Sequence, residues 1–164
     1  MTGGSRGIGR MIAAGYAANG ASAVYVCSRK AKACEDTARE LNAQHQTTCV
    51  RPLPGDLSTY EGVSAVAAAL EKAGVDKVHV LVNNAGATWG APFLEYPDNA
   101  WQKIMDLNVR HVFNLTQLLA PKLAAAARPG DPARVINIAS VDGVRASQPQ
   151  CVAVEQRAPS DARD

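Results

Sequence analysis

Long apolar runs and blocks of like charge are both missing from this 164-residue chain. Its apolar stretches fall far short of the roughly 20 residues that a membrane helix needs, so no membrane span is expected. Lys and Arg number 17 against 15 Asp and Glu, the formal net charge is +2, and the signs are interspersed. Without a basic block, nucleic acid is not an expected partner. No basic, hydrophobic and cleavage-site series opens the chain, so no secretory signal is read. The cysteines, Cys27, Cys34, Cys49 and Cys151, lack metal-ligand spacing. Isolated reduced thiols, no metal and a cytoplasmic location are therefore expected. What remains is 47% hydrophobic and 20% charged. That is the composition of one globular domain with a real core.

Strand and helix patterns alternate along the chain. Ile8, Met11, Ile12 and Tyr16 recur at helical spacing, and Gly20 stops that helix. A short β-rich run covers 21–27, and a helix follows over about 30–46 with Cys34, Ala38 and Leu41 inward. Residues 47–53 read as a strand closed by Pro54-Gly55. Ser58 and Glu61 have the spacing of a capping box, ahead of an inner face of Val63, Val66, Ala67 and Leu70. Gly74 ends that helix. Residues 77–82 read as a strand of near-continuous apolar character, as expected when both faces are covered. A long helix begins near Asp98, with Trp101, Ile104, Met105, Val112 and Leu115 on one face and a kink expected at Pro121. Residues 134–139 form the last convincing strand. The alternation predicts an α/β fold with a doubly wound parallel sheet. After Gly143 the pattern dissolves, so residues 1–143 are read as the domain and 144–164 as a divergent, disordered tail.

The segment Thr2-Gly3-Gly4-Ser5-Arg6-Gly7-Ile8-Gly9 runs straight into the first helical pattern. Glycines there let bare backbone amides meet a phosphate at a helix N-terminus. A P-loop is excluded, because Arg10 and Met11 stand where that motif needs Lys and a hydroxyl. The spacing is not the strict G-x-G-x-x-G either, and a glycine turn that merely packs tightly would look the same.

The turn has company. Thr2-Gly3-x-x-x-Gly7-x-Gly9, Asn83-Asn84-Ala85-Gly86, Asn108 and Ser140 occur in the order and context typical of one family. Over residues 1 to about 148 the chain resembles the short-chain dehydrogenase/reductase family. Within it the chain is similar to NADPH-dependent β-ketoacyl-type reductases, and residues 83–91 are similar to the rhamnolipid-pathway branch. The resemblance implies a Rossmann-like fold, NADP(H) as cofactor and a small-molecule carbonyl substrate. It leaves homo-oligomerisation open. It implies that Gly3, Ser5, Arg6, Gly7, Ile8 and Gly9 surround the pyrophosphate. Ser28 and Arg29 follow the strand where an NAD-preferring site would want an acidic residue. A hydroxyl and guanidinium suit a 2′-phosphate instead. A solvated basic turn is the other reading of Arg29. Asp56 is implied to contact the adenine, with Leu57 lining that pocket, although a turn aspartate would look alike. Asn83, Ala85 and Gly86 are implied to border the adenine ribose and steady the sheet, and a plain Asn-Gly turn is the competing reading. Asn108 is a polar amide inside an apolar stripe, which costs stability unless hydrogen-bonded. The family uses this asparagine to bend the helix and hold a water in a proton relay; a satisfied core asparagine is the alternative. Ser140 matches the serine that hydrogen-bonds the substrate carbonyl, where a bare reading gives a strand-end cap.

The family's acid, a tyrosine about thirteen residues beyond that serine, is absent, as is the lysine four residues further on. Counting from Ser140 reaches Ala153 and Arg157; no tyrosine follows Tyr96 and no lysine follows Lys122. Arginine stays protonated and presents a different fork of donors. Ala153-Val154-Glu155-Gln156 resembles the stretch just after the active-site lysine in relatives, as though a Tyr-x-x-x-Lys segment had been excised. The family's opening strand, which lies between those read here at 21–27 and 77–82, is missing too. So are the later strands. The chain is therefore expected to be a truncated, unstable and catalytically inactive reductase fold. The alternatives are a non-catalytic dinucleotide-binding protein and a fragment without function.

Overall fold

The structure is a computed structural model and describes residues 1–143. Residues 144–164, with the expected tail, Cys151, Ala153 and Arg157, lie outside the described residues. The elements are α1 (Gly7–Ala18), β1 (Val24–Ser28), α2 (Ala31–Gln44), β2 (Val50–Pro54), α3 (Tyr60–Lys72), β3 (Val80–Asn83), α4 (Asp98–Met105), α5 (His111–Ala126) and β4 (Arg134–Asn137). A π turn over Asp106–Arg110 joins α4 to α5.

The strands pair in parallel as β1–β2 and β3–β4. Among the described residues, Met1 and Thr2 stand between the two pairs. The Thr2 N–H donates to the Val82 carbonyl at 3.0 Å, and the Cys27 N–H donates to the Met1 carbonyl at 2.8 Å. Thr2 and Cys27 form a parallel bridge. Among the described residues, the position between β1 and β3 is thus filled at its C-terminal end. Pro52 and Pro54 fit on β2 because it is an edge. Gly55 donates to Ser28, so odd-numbered residues face β1 and both proline nitrogens face outward.

Helices cover both faces, as the near-continuous apolar strands require. On one side Ala13, Ala17, Cys34, Ala38 and Leu41 of α1 and α2 close over Val24, Val26 and Val50. On the other, Val63, Val66, Leu70, Leu115, Leu119 and Leu123 of α3 and α5 close over Cys27, Leu53 and Leu81. Each fully buried Leu or Val contributes about 1.5–3 kcal/mol.

Three expectations need correction. The buried stripe of α1 is Gly9, Ala13 and Ala17, while Ile8 and Met11 are exposed. Small side chains let the helix sit close to the sheet beneath the glycine turn. The cap of α3 is Thr59, not Ser58: Thr59 Oγ1 accepts from Gly62 N at 3.1 Å, and the Ser58 N–H is taken by Asp56 Oδ1 at 3.0 Å. The helix expected from Asp98 onward is broken at Asp106–Arg110, and α5 runs through Pro121. The π turn inserts an extra residue, so the faces before and after it do not line up. Ile104 and Leu115 are buried as expected, but Trp101 is exposed, edge-on to Tyr96. His111 takes an inward position that the apolar stripe did not suggest.

Candidate functional site

Gly3 and Gly7 adopt φ of 61° and 53°, a region that costs other residues strain. Gly9 has no room for a Cβ, which would run into the Gly3 carbonyl and the Asn84 amide. The turn is tied to β1 by Gly4 N donating to the Cys27 carbonyl at 3.1 Å. It is tied to α2 by the Thr37 hydroxyl donating to the Ser5 carbonyl at 3.1 Å. Arg6 precedes α1 in an extended conformation and offers no side-chain cap. The first-turn N–H groups at Gly7, Ile8 and Gly9 are thus left to an external acceptor, on the positive end of a 12-residue helix.

Two residues outside the expected set hold this turn. Asn84 Nδ2 donates to the Thr2 and Gly3 carbonyls at 3.1 and 3.2 Å. The Thr2 hydroxyl accepts from Asn84 N and Ala85 N, both at 2.9 Å. Four hydrogen bonds therefore tie the glycine turn to the loop after β3. The signal was present in the sequence, since both residues belong to the quoted motifs, but only the fold brings residues 2 and 84 together.

Ser28 ends β1, and its hydroxyl lies 3.1 Å from Cys34 Sγ. Arg29 and Arg6 are exposed, and among the described residues neither forms an ion pair. Nearby Arg10, by contrast, is spent on Glu40 at 3.0 Å. Two free guanidiniums thus flank the glycine turn at the C-terminal edge of the sheet, the usual ligand edge of open α/β folds.

Asp56 is exposed and Gly86 is exposed beyond β3, both near that edge. Leu57 and Asn83 are placed differently. The Leu57 side chain is buried in the core, and its carbonyl lies 2.8 Å from His111 Nδ1. A carbonyl only accepts, so Nδ1 carries the proton. Asn83 is buried, and its Nδ2 donates to Asn137 Oδ1 at 2.9 Å and Thr116 Oγ1 at 3.3 Å. Its carboxamide joins β3, β4 and α5, so it steadies the sheet from inside. Asn108, buried in the π turn, accepts from Ala87 N and donates to Ala87 O. Ser140 is half-buried three residues past β4, and its carbonyl accepts from Gly143 N at 3.0 Å.

Two ionisable groups lie under the turn. The Met1 ammonium donates to the Tyr25 carbonyl at 2.9 Å, and burial lowers its pKa from the ordinary 8.0. Burial pushes the Cys27 thiol up from 9.0 to about 12, so it stays protonated and unreactive.

This fold and this edge define a class. The chain belongs to the short chain dehydrogenase family, whose model matches residues 1–152. It is 46% identical over 153 residues to the rhamnolipids biosynthesis 3-oxoacyl-[acyl-carrier-protein] reductase of Pseudomonas aeruginosa, covering 93% of this chain and 58% of that protein. Among solved structures, the Pseudomonas aeruginosa RhlG/NADP active-site complex matches with a TM-score of 0.83 and 46% identity, covering 91% of this chain and 56% of that one. The L-sorbose reductase of Gluconobacter frateurii, complexed with NADPH and L-sorbose, matches with a TM-score of 0.79 and 29% identity, covering 92% and 54%. The chain spans little more than half the length of these relatives. No helix among the described residues is long and apolar enough to cross a membrane.

Proposed function

We propose that this chain carries the NADPH-binding half of a short-chain carbonyl reductase for 3-oxoacyl-type substrates, and that it binds the dinucleotide without turning it over. The observation that carries the reading is the uncapped N-terminus of α1 beneath a glycine turn in which Gly9 admits no Cβ. A diphosphate fits there, because N–H groups and the helix dipole both favour an anion. Gly3 to Gly9 would hold it, with Ser5 and Ile8 in the same turn. Arg29, assisted by Arg6 and Ser28, would take a 2′-phosphate. Asp56, Ala85 and Gly86 would border the adenosine. Leu57 and Asn83 support these loops from the core side.

When bound, the nicotinamide supplies a hydride for a carbonyl carbon. Ser140 would hydrogen-bond the carbonyl oxygen, and Asn108 would hold the loop after β3 against α5. The protonating group is what the chain lacks, because no tyrosine follows Tyr96. Loss of a general acid costs about 10²- to 10⁴-fold in rate. The relatives' printed names, a 3-oxoacyl reductase and NADP or NADPH complexes, support the substrate class and the cofactor.

The test pairs binding with turnover. Titration with NADPH, followed by nicotinamide fluorescence, is expected to saturate. Absorbance at the reduced nicotinamide band, with a 3-oxoacyl thioester present, is expected to stay flat. A normal enzymatic rate contradicts the inactivity. Failure to bind NADPH contradicts the whole reading and leaves a fragment without function.

A further inference from the structure

The buried face of α2 is Cys34, Thr37, Ala38 and Leu41, and two of these four side chains are polar. Cys34 is fully buried and Thr37 is 3% exposed. A thiol or hydroxyl between a helix and a sheet costs stability unless it finds a partner. A helical threonine can find one four residues back on its own helix, as Thr116 does with the Val112 carbonyl at 2.8 Å. Thr37 spends its single proton elsewhere. Its hydroxyl donates out of α2 to the Ser5 carbonyl at 3.1 Å. A trans peptide is planar, so fixing that carbonyl also fixes the direction of the Arg6 N–H. Cys34 lies one turn earlier on the same face. Its Sγ is 3.1 Å from the Ser28 hydroxyl and 3.6 Å from the Ser28 carbonyl. One helix face thus grips both the glycine turn and the end of β1.

We propose that Thr37 and Cys34 are positioning residues for the dinucleotide, Thr37 for the turn that meets the diphosphate and Cys34 for discrimination of the 2′-phosphate. The inference rests on the proposed function, which puts a diphosphate on the glycine turn and a 2′-phosphate on Ser28 and Arg29. A hydroxyl accepts and donates at once. With the Cys34 S–H donating to Ser28 Oγ, the Ser28 proton is left for a phosphate oxygen. An apolar side chain at position 34 removes that donor and frees the Ser28 hydroxyl to turn away. A nucleotide without the 2′-phosphate makes no use of the Ser28 proton in this way, so it should not register the change. Thr37 acts on a turn that both kinds of nucleotide share, so both should register its loss. Each residue works by sparing the cost of ordering a phosphate-facing segment on binding.

The probes are NADPH and NADH, titrated by nicotinamide fluorescence into the full chain and four variants. Thr37→Val keeps the shape and removes the hydroxyl, whereas Thr37→Ser keeps the hydroxyl. Cys34→Ala and Cys34→Ser differ by one oxygen and share the loss of sulfur volume. Thr37→Val should weaken both nucleotides about threefold to tenfold, the worth of one hydrogen bond. Cys34→Ala should weaken NADPH about threefold or more and leave NADH within about 1.5-fold. Both serine variants should bind as the parent chain does. The two Cys34 variants, nearly equal in volume, carry the test by themselves if the Thr37 variants do not fold. Equal loss of both nucleotides in Cys34→Ala, or a serine variant no better than its apolar counterpart, shows a packing role and overturns the inference. A parent chain that binds neither nucleotide overturns the proposed function and this inference with it. A binding parent whose apolar variants match it overturns this inference alone.

Discussion

Asn108 and Ala87 exchange two hydrogen bonds, Ala87 N to Asn108 Oδ1 at 3.0 Å and Asn108 Nδ2 to Ala87 O at 2.8 Å. A side-chain amide thereby pairs with a peptide as another strand would. The π turn over Asp106–Arg110 presents the amide to the loop that follows β3. Asn108 is buried and Ala87 half-buried, so breaking the pair leaves the Ala87 N–H and carbonyl short of a partner. Asn108→Ala is expected to destabilise the fold by about 1–3 kcal/mol. Urea denaturation of the variant beside the parent chain measures this.

Two glycines of α1 should respond in opposite directions. At Gly9 a methyl meets the Gly3 carbonyl and Asn84, while at Gly15 it meets nothing. Gly9→Ala should cost about 1–3 kcal/mol by overpacking and abolish NADPH binding. Gly15→Ala should stabilise the helix by about 0.5–1 kcal/mol and leave binding unchanged. Thermal midpoints and NADPH titrations of the pair check both signs.

These two glycines also show what is legible in the sequence. The strand and helix alternation and the glycine turn are local patterns, and local patterns survive folding. The face of α1 is not legible, because Ile8 and Met11 outweigh Gly9, Ala13 and Ala17 in hydrophobicity while the sheet needs small neighbours. Trp101 departs from its expected face because the buried stripe of α4 is Ala100 and Ile104, one turn apart, and Trp101 lies off it against Tyr96. The Thr2–Asn84 and His111–Leu57 contacts join residues far apart in the chain. Asn83 is legible as the end of a strand, but its side chain turns toward Thr116 and Asn137. Spacing along a chain does not report which way a terminal side chain turns.

Stability should depend on pH through the buried Cys27 thiol. It is raised from 9.0 to about 12, so its contribution is complete below 9.0 and is lost as pH climbs toward 12. Cys27→Ala should flatten this alkaline limb. Urea titrations between about pH 8 and about pH 11 measure it.

Arg29 is exposed and without an ion pair among the described residues, so its removal should leave the fold unchanged. Charge-assisted hydrogen bonds to a phosphate are worth about 1.5–3 kcal/mol. Arg29→Ala should therefore weaken NADPH binding by about tenfold or more and leave NADH binding within about twofold. Parallel titrations with the two nucleotides separate this from general loss of the site.

The central claim is that the amides opening α1 hold a diphosphate. The most direct measurement is an NMR titration of the isotopically labelled chain with NADP⁺, read at the Gly7, Ile8 and Gly9 amides. The account predicts the largest shifts at these three, saturating together with those at Ser28 and Arg29. Saturable binding that leaves all three unmoved, or no binding at all, contradicts it.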